Sequence, residues 1–186
     1  MGTPLKCQLR LTTSRRVLLV LIAVLIVLHG IPEPSAASTR LSDTEAERVS
    51  DAIRLFERRG LQPPAVTIEF HDDGDACKGH LGYFRPRLER IDICSDLPFV
   101  LIHELAHVWI EDHVRVAARR AFVSRNDLPT WNDHDHEWDD RGVELAAFTI
   151  QQVVMRDLDP RRSSTRELLA NFNFLTRGSS PNRGPF

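Results

Sequence analysis

Cysteine is scarce in this chain: three in 186 residues, with no Cys-x-x-Cys pair. That scarcity argues against cysteine-based metal or redox chemistry. Positive charge is not in excess either, since 24 Lys and Arg stand against 26 Asp and Glu for a net charge of −2. Nucleic-acid binding needs a basic footprint, so that class of partner is not expected. No internal repeat or low-complexity segment occurs, and long unbroken apolar runs are missing with one exception, near the amino terminus.

That exception sets the expected compartment. Residues 1–16 hold Lys6, Arg10, Arg15 and Arg16 and no acid, and Val17 to Leu28 follows as an apolar run. Pro32, Pro34 and the small-residue stretch Ser35-Ala36-Ala37-Ser38 come next. A basic segment, a short apolar core and an A-x-A-like site predict a secretory signal peptide over residues 1–37. The alternative is an uncleaved membrane anchor over residues 17–31, which is short of the ~20 residues a spanning helix needs. Arg15-Arg16 alone carries little weight as a twin-arginine signal, and Cys7 precedes the apolar run, so it is no lipid-attachment site. Cleavage after Ala37 removes four basic groups and Glu33, taking the net charge from −2 to about −5. The remaining length fits one domain with a real core, 38–178, and a loose tail, 179–186.

What the chain does have is the run Leu101-Ile102-His103-Glu104-Leu105-Ala106-His107-Val108-Trp109. Phe99, Val100, Ile102, Leu105, Ala106, Val108, Trp109 and Ile110 predict a helix apolar nearly all round, with Ser95 or Asp96 as N-cap and Pro98 in its first turn. Such a helix belongs in a core, where His103, Glu104 and His107 need partners. Residues i and i+4 share one helix face, so two imidazoles there can hold one zinc ion. The adjacent glutamate can act as general base towards water.

A catalytic zinc needs a third protein ligand. No third histidine follows closely, and Glu111, Asp112 and His113 lie too near on the same helix to bend back, although His113 is a candidate for the mouth of the site. Trp131 to Gly142 is polar and loop-like. From Val143 to about Arg156 the pattern turns helical, and Glu144 is the one carboxylate in that apolar stretch. Glu144 is therefore the expected third ligand.

This arrangement resembles the zincin metallopeptidases, in the gluzincin form where a glutamate on a second helix completes the site. The string from Leu101 to Phe148 is similar to a group of small actinobacterial metallopeptidases, through His103-Glu104-Leu105-Ala106-His107, Trp131-Asn132-Asp133 and Trp138-Asp139-Asp140-Arg141-Gly142-Val143-Glu144-Leu145-Ala146-Ala147. It covers about a quarter of the chain. The resemblance implies a zinc-dependent peptidase acting on a peptide or protein. Thermolysin-like gluzincins place an aspartate four residues after the ligand glutamate; here Phe148 stands there. Support for the zinc histidines is then expected from Asp133, Asp140 or a backbone carbonyl. The oxyanion of the tetrahedral intermediate needs a donor. His134, His136 and Tyr83 are candidates, with Arg141 a further one; for His134 and His136 a solvated loop is the plainer reading.

Cys77 and Cys94 predict one structural disulfide in an exported protein. Ser42-Asp43-Thr44-Glu45 predicts a capping box on a helix ending at Gly60. Val66–Phe70, His80–Phe84 and Arg90–Cys94 predict short strands, and Asp72–Asp75 an acidic, solvated turn without the EF-hand register. Ser163 or Ser164 is expected to cap a last helix through Leu168, Leu169, Phe172, Phe174 and Leu175, ending at Gly178. The expected fold is α+β: a minimal zincin-like domain, with a small mixed sheet packed on the zinc-binding helix and on a Glu-bearing helix. The expected activity is zinc-dependent peptide hydrolysis by a secreted or anchored protein. The alternative is an exported zinc-binding module without turnover.

Overall fold

The computed structural model describes residues 41–156 and 163–177. The signal-peptide and anchor readings and the tail from Gly178 onward lie outside the described residues. Helix α1, Asp43–Arg58, begins at the expected capping box: the Ser42 side chain accepts from Glu45 N–H, and the Glu45 carboxylate accepts from Ser42 N–H. Three four-residue strands follow, β1 Thr67–Phe70, β2 Gly82–Arg85 and β3 Arg90–Ile93. Their order in the sheet is β1-β3-β2, with β1 parallel and β2 antiparallel to the central β3. The architecture is α+β with a small mixed sheet. The Cys77–Cys94 disulfide joins the segment before β2 to the residue after β3. Closing a loop of this length stabilises the fold by about 3 kcal/mol in the chain-entropy model.

Helix α2, Pro98–His113, carries the two histidines. Its N-cap is Leu97, not Ser95 or Asp96. The cause is local: Ser95 Oγ takes the Leu97 N–H at 3.2 Å and Asp96 pairs with Arg48, so neither side chain is turned to the helix end. Pro98 takes the first turn, where its missing N–H costs nothing. Helix α3, Val116–Arg125, was not expected from the sequence; only Phe122 of it is buried, so its apolar pattern is faint. Helix α4, Gly142–Met155, carries Glu144, and α5 spans Ser163–Arg177.

The near-continuous apolarity of α2 reflects packing on several sides. It lies against α4, β2, β3 and α1. Leu101, Leu105, Trp109, Ile150, Phe56 and Phe122 are fully or almost fully buried between them. Each large apolar side chain removed from water contributes roughly 1.5–3 kcal/mol before conformational entropy is counted. The α2–α4 contact positions the candidate site, because the helices bring His103, His107 and Glu144 to one interface.

Candidate metal centre and its cleft

His103 and His107 sit one turn apart on α2 and turn the same way. Their Nε2 atoms are 3.1 Å apart, and Glu144 Oε2 lies 3.2 Å from His103 Nε2 and 3.1 Å from His107 Nε2. Three ligands held about 2.0–2.1 Å from a tetrahedral zinc stand roughly 3.3–3.4 Å from one another. The triad is therefore at ligand spacing, with a few tenths of an ångström to open. Its chemistry fits a cation too. Gln151 Oε1 lies 3.1 Å from His103 Nδ1 and can only accept, so that nitrogen carries the proton and Nε2 offers a lone pair. That lone pair meets a carboxylate oxygen and a second imidazole nitrogen, and a metal satisfies all three.

Glu144 is placed by the start of α4. Gly142 N–H donates to Thr130 O at 3.0 Å and Val143 N–H to Trp131 O at 2.8 Å. A Cβ at position 142 would meet Val123 Cγ2 at 2.9 Å and Trp131 Cε3 at 3.0 Å, so only glycine lets the helix start this close. Electrostatics agree with a ligand role. Burial works against ionisation of Glu144, but when His103 and His107 are protonated, with N–H groups at Nε2 standing where a cation would, their hydrogen bonds and charge outweigh it and bring its carboxyl down to about 2. For His107 burial again opposes the charged form, while Glu144 and Glu104 together raise its pKa above the ordinary histidine value.

Glu104 lies beside the triad, almost entirely buried. Burial raises its pKa, with the two histidines pulling the other way. Its Oε2 accepts the Phe84 N–H of β2 at 2.9 Å. Gly82 makes this contact possible: a Cβ there would lie 2.7 Å from Val100 Cγ1 and 2.9 Å from Glu104 Cγ. An edge strand is thereby pressed onto the helix at the glutamate.

The triad and Glu104 line a cleft of about 1240 Å³. Tyr83, His134 and Arg141 line it as well, whereas His136 does not and gives its backbone carbonyl to Arg141 Nε. The His134 Nδ1 lies 3.2 Å from Arg141 Nη1, and Lys78 Nζ donates to the Tyr83 hydroxyl at 3.3 Å. Trp138 places its ring 5.8 Å from that of His103. His113 does not line the cleft; it stacks on Trp109 with its Nδ1 3.0 Å from the Trp109 carbonyl.

No protein-family model matches this chain, and comparisons with curated proteins and with solved structures also find no match. Site and fold alone carry the functional argument.

Sequence reasoning missed Gln151, which does for His103 what Asp133 or Asp140 was expected to do. Only spacing marked it: residues 144 and 151 are two turns apart on one helix face. It also missed a second cluster. Glu69 on β1, His71 just after it and Asp92 on β3 bring ligand-type atoms within 4.8 Å of one another. Asp92 is fully buried there, bonded by Arg85, in ionic contact with Arg90 at 3.1 Å, and 3.0 Å from His71 Nε2; Arg90 also pairs with Glu69 at 3.1 Å. Two guanidiniums already supply the positive charge, so this cluster is a structural ion network.

Proposed function

We propose that this protein is an exported zinc metallopeptidase with a zincin-like active site. One observation carries the reading: two α2 nitrogens and one α4 carboxylate oxygen converge at 3.1–3.2 Å, with a buried glutamate beside them in an open cleft. His103, His107 and Glu144 would hold the zinc. Bound there, it would supply Lewis acidity towards a scissile carbonyl and lower the pKa of a water molecule. Glu104 takes a proton from that water as the water oxygen bonds to the carbonyl carbon, and passes the proton to the amine nitrogen as the C–N bond breaks. The Phe84 N–H fixes Glu104 Oε2, so the carboxylate keeps one orientation during both transfers. Tyr83, His134 and Arg141 are the candidate oxyanion donors that line the cleft, and β2, an edge strand along its wall, gives an extended peptide a backbone to lie against.

The disulfide and the amino-terminal pattern favour an extracytoplasmic location. Among the described residues no helix is long and apolar enough to cross a membrane.

The decisive experiment is elemental mass spectrometry of the purified protein beside its Glu144→Ala and Glu104→Gln variants, with a peptide-library assay of each. The expected result is one zinc per chain in the native and Glu104→Gln forms and little in Glu144→Ala. Hydrolysis should fall by about 100-fold or more in Glu104→Gln, the usual range for a lost general base. Zinc in the native form without cleavage of any peptide would favour a binding module instead.

A further inference from the structure

The cleft wall has a chemical character that the triad does not explain. Eight large apolar side chains are exposed in the described residues, and five of them line this cleft: Leu81, Leu88, Phe99, Trp138 and Phe148. Their exposures run from 39% to 62%, so each keeps a large apolar surface in water. Scattered single apolar residues are ordinary, but gathering most of them around one site marks a binding surface.

Charge is segregated in the same place. The whole chain carries −2, yet the cleft is basic once its internal pairs are set aside. Glu111 is neutralised by Arg119 at 2.9 Å, and Arg85 is held by the buried Asp92. Glu104 and Glu144 together balance a divalent ion. Lys78, Arg87 and Arg141 remain, and none of them makes an ion pair with a carboxylate among the described residues. Lys78 stands over the Tyr83 ring with its Nζ 4.6 Å from the centroid, and Arg141 is tied to the loop at His134 and His136. Two of the three cations are thus held in place along the cleft.

We infer that the cleft selects an extended peptide segment that combines bulky apolar residues with acidic ones, the apolar residues seated on the Leu81, Leu88, Phe99 and Phe148 surface and the carboxylates met by Lys78, Arg87 and Arg141. This substrate class rests on the peptidase reading for its consequence, but its recognition is a property of the cleft and can be measured without turnover. A cleft of one sign concentrates ligands of the other and discriminates against like charge.

The test uses the full chain as Glu104→Gln, loaded with zinc, and three fluorescein-labelled decapeptides read by anisotropy. One has a Leu-Phe centre flanked by Asp and Glu, the second replaces every acid by Lys, and the third replaces Leu and Phe by Ser. The acidic apolar peptide is expected to bind at least tenfold more tightly than either relative. Its advantage over the Lys peptide should shrink several-fold as salt rises from 50 to 500 mM, and again in Lys78→Glu/Arg87→Glu. The salt series on Glu104→Gln alone, with every cleft cation in place, gives the answer even if that charge-reversed variant folds poorly. Equal binding of the three, preference for the Lys peptide, or no binding of any overturns the inference. Zinc content and cleavage by the native protein judge the peptidase reading separately: cleavage without this preference sinks the inference alone, and preference without cleavage sinks the enzyme alone.

Discussion

Gln151 accepts a hydrogen bond from His103 across the α2–α4 interface, its Oε1 3.1 Å from Nδ1. A neutral amide therefore fixes the tautomer of the first histidine and turns Nε2 towards Glu144. Gln151 is itself buried, so its orientation is set by packing as well as by this bond.

Removing that acceptor should loosen the metal. In Gln151→Leu the His103 Nδ1–H has no partner and the ring can turn, so zinc affinity is expected to drop about 10–100-fold, the usual effect of losing such a support. Gln151→Glu keeps the acceptor and adds charge, and should hold zinc at least as well as the native protein. Chelator competition measures both. Equal affinity in Gln151→Leu would show that the bond does not position His103.

Much of this candidate site was legible in the sequence because each residue that converges there announces itself by contrast. His103, Glu104, His107 and Glu144 are polar groups inside apolar stretches of their helices. Gln151 gave no such contrast, since Gln152 lies beside it and a neutral amide on a helix reads as solvent-facing. The pairing of Phe84 with Glu104 was not legible: a backbone N–H leaves no mark in sequence, and its enabling residue, Gly82, reads only as a glycine inside the expected His80–Phe84 strand. Helix α3 was missed because it buries little, so tertiary context more than periodicity decides its state.

Gly82→Ala tests the contact between β2 and the metal helix. The added methyl would stand 2.7 Å from Val100 Cγ1 and 2.9 Å from Glu104 Cγ, and it must push the strand outward or turn the glutamate. Overpacking of this kind costs about 1–3 kcal/mol. The triad lies on α2 and α4, so zinc should stay bound while hydrolysis falls more steeply than stability. Zinc content, thermal unfolding and kcat measured together would show the split; full activity would mean that Phe84 does not orient Glu104.

Zinc should also stabilise the folded chain, because its ligands meet only when α2 and α4 are packed. At a free zinc concentration 100 times Kd the gain is about 2.7 kcal/mol. Thermal unfolding with and without a chelator should therefore show a zinc-dependent rise in Tm that is lost in Glu144→Ala. A rise of equal size in the variant would place the stabilising ion elsewhere.

Asp92 predicts the acid limit of the fold. Burial of its carboxyl favours the neutral form, but Arg85, His71 and Arg90 outweigh this and set its pKa below the ordinary aspartate value. A depressed folded pKa means that the carboxylate contributes stability above the unfolded value of about 3.9, and that this contribution fades as pH falls through the lower folded value. Asp92→Asn removes the charge at every pH. It leaves two guanidiniums facing one amide at the centre of the sheet, which should cost about 2–4 kcal/mol near neutrality, discounted because both arginines are partly exposed. The native and variant stabilities should then converge as the pH drops below about 4. Urea unfolding at pH 7, 5, 4 and 3 follows the difference directly. A constant gap across that range would assign the loss to packing, and the ion network around Asp92 would not be what sets the acid response.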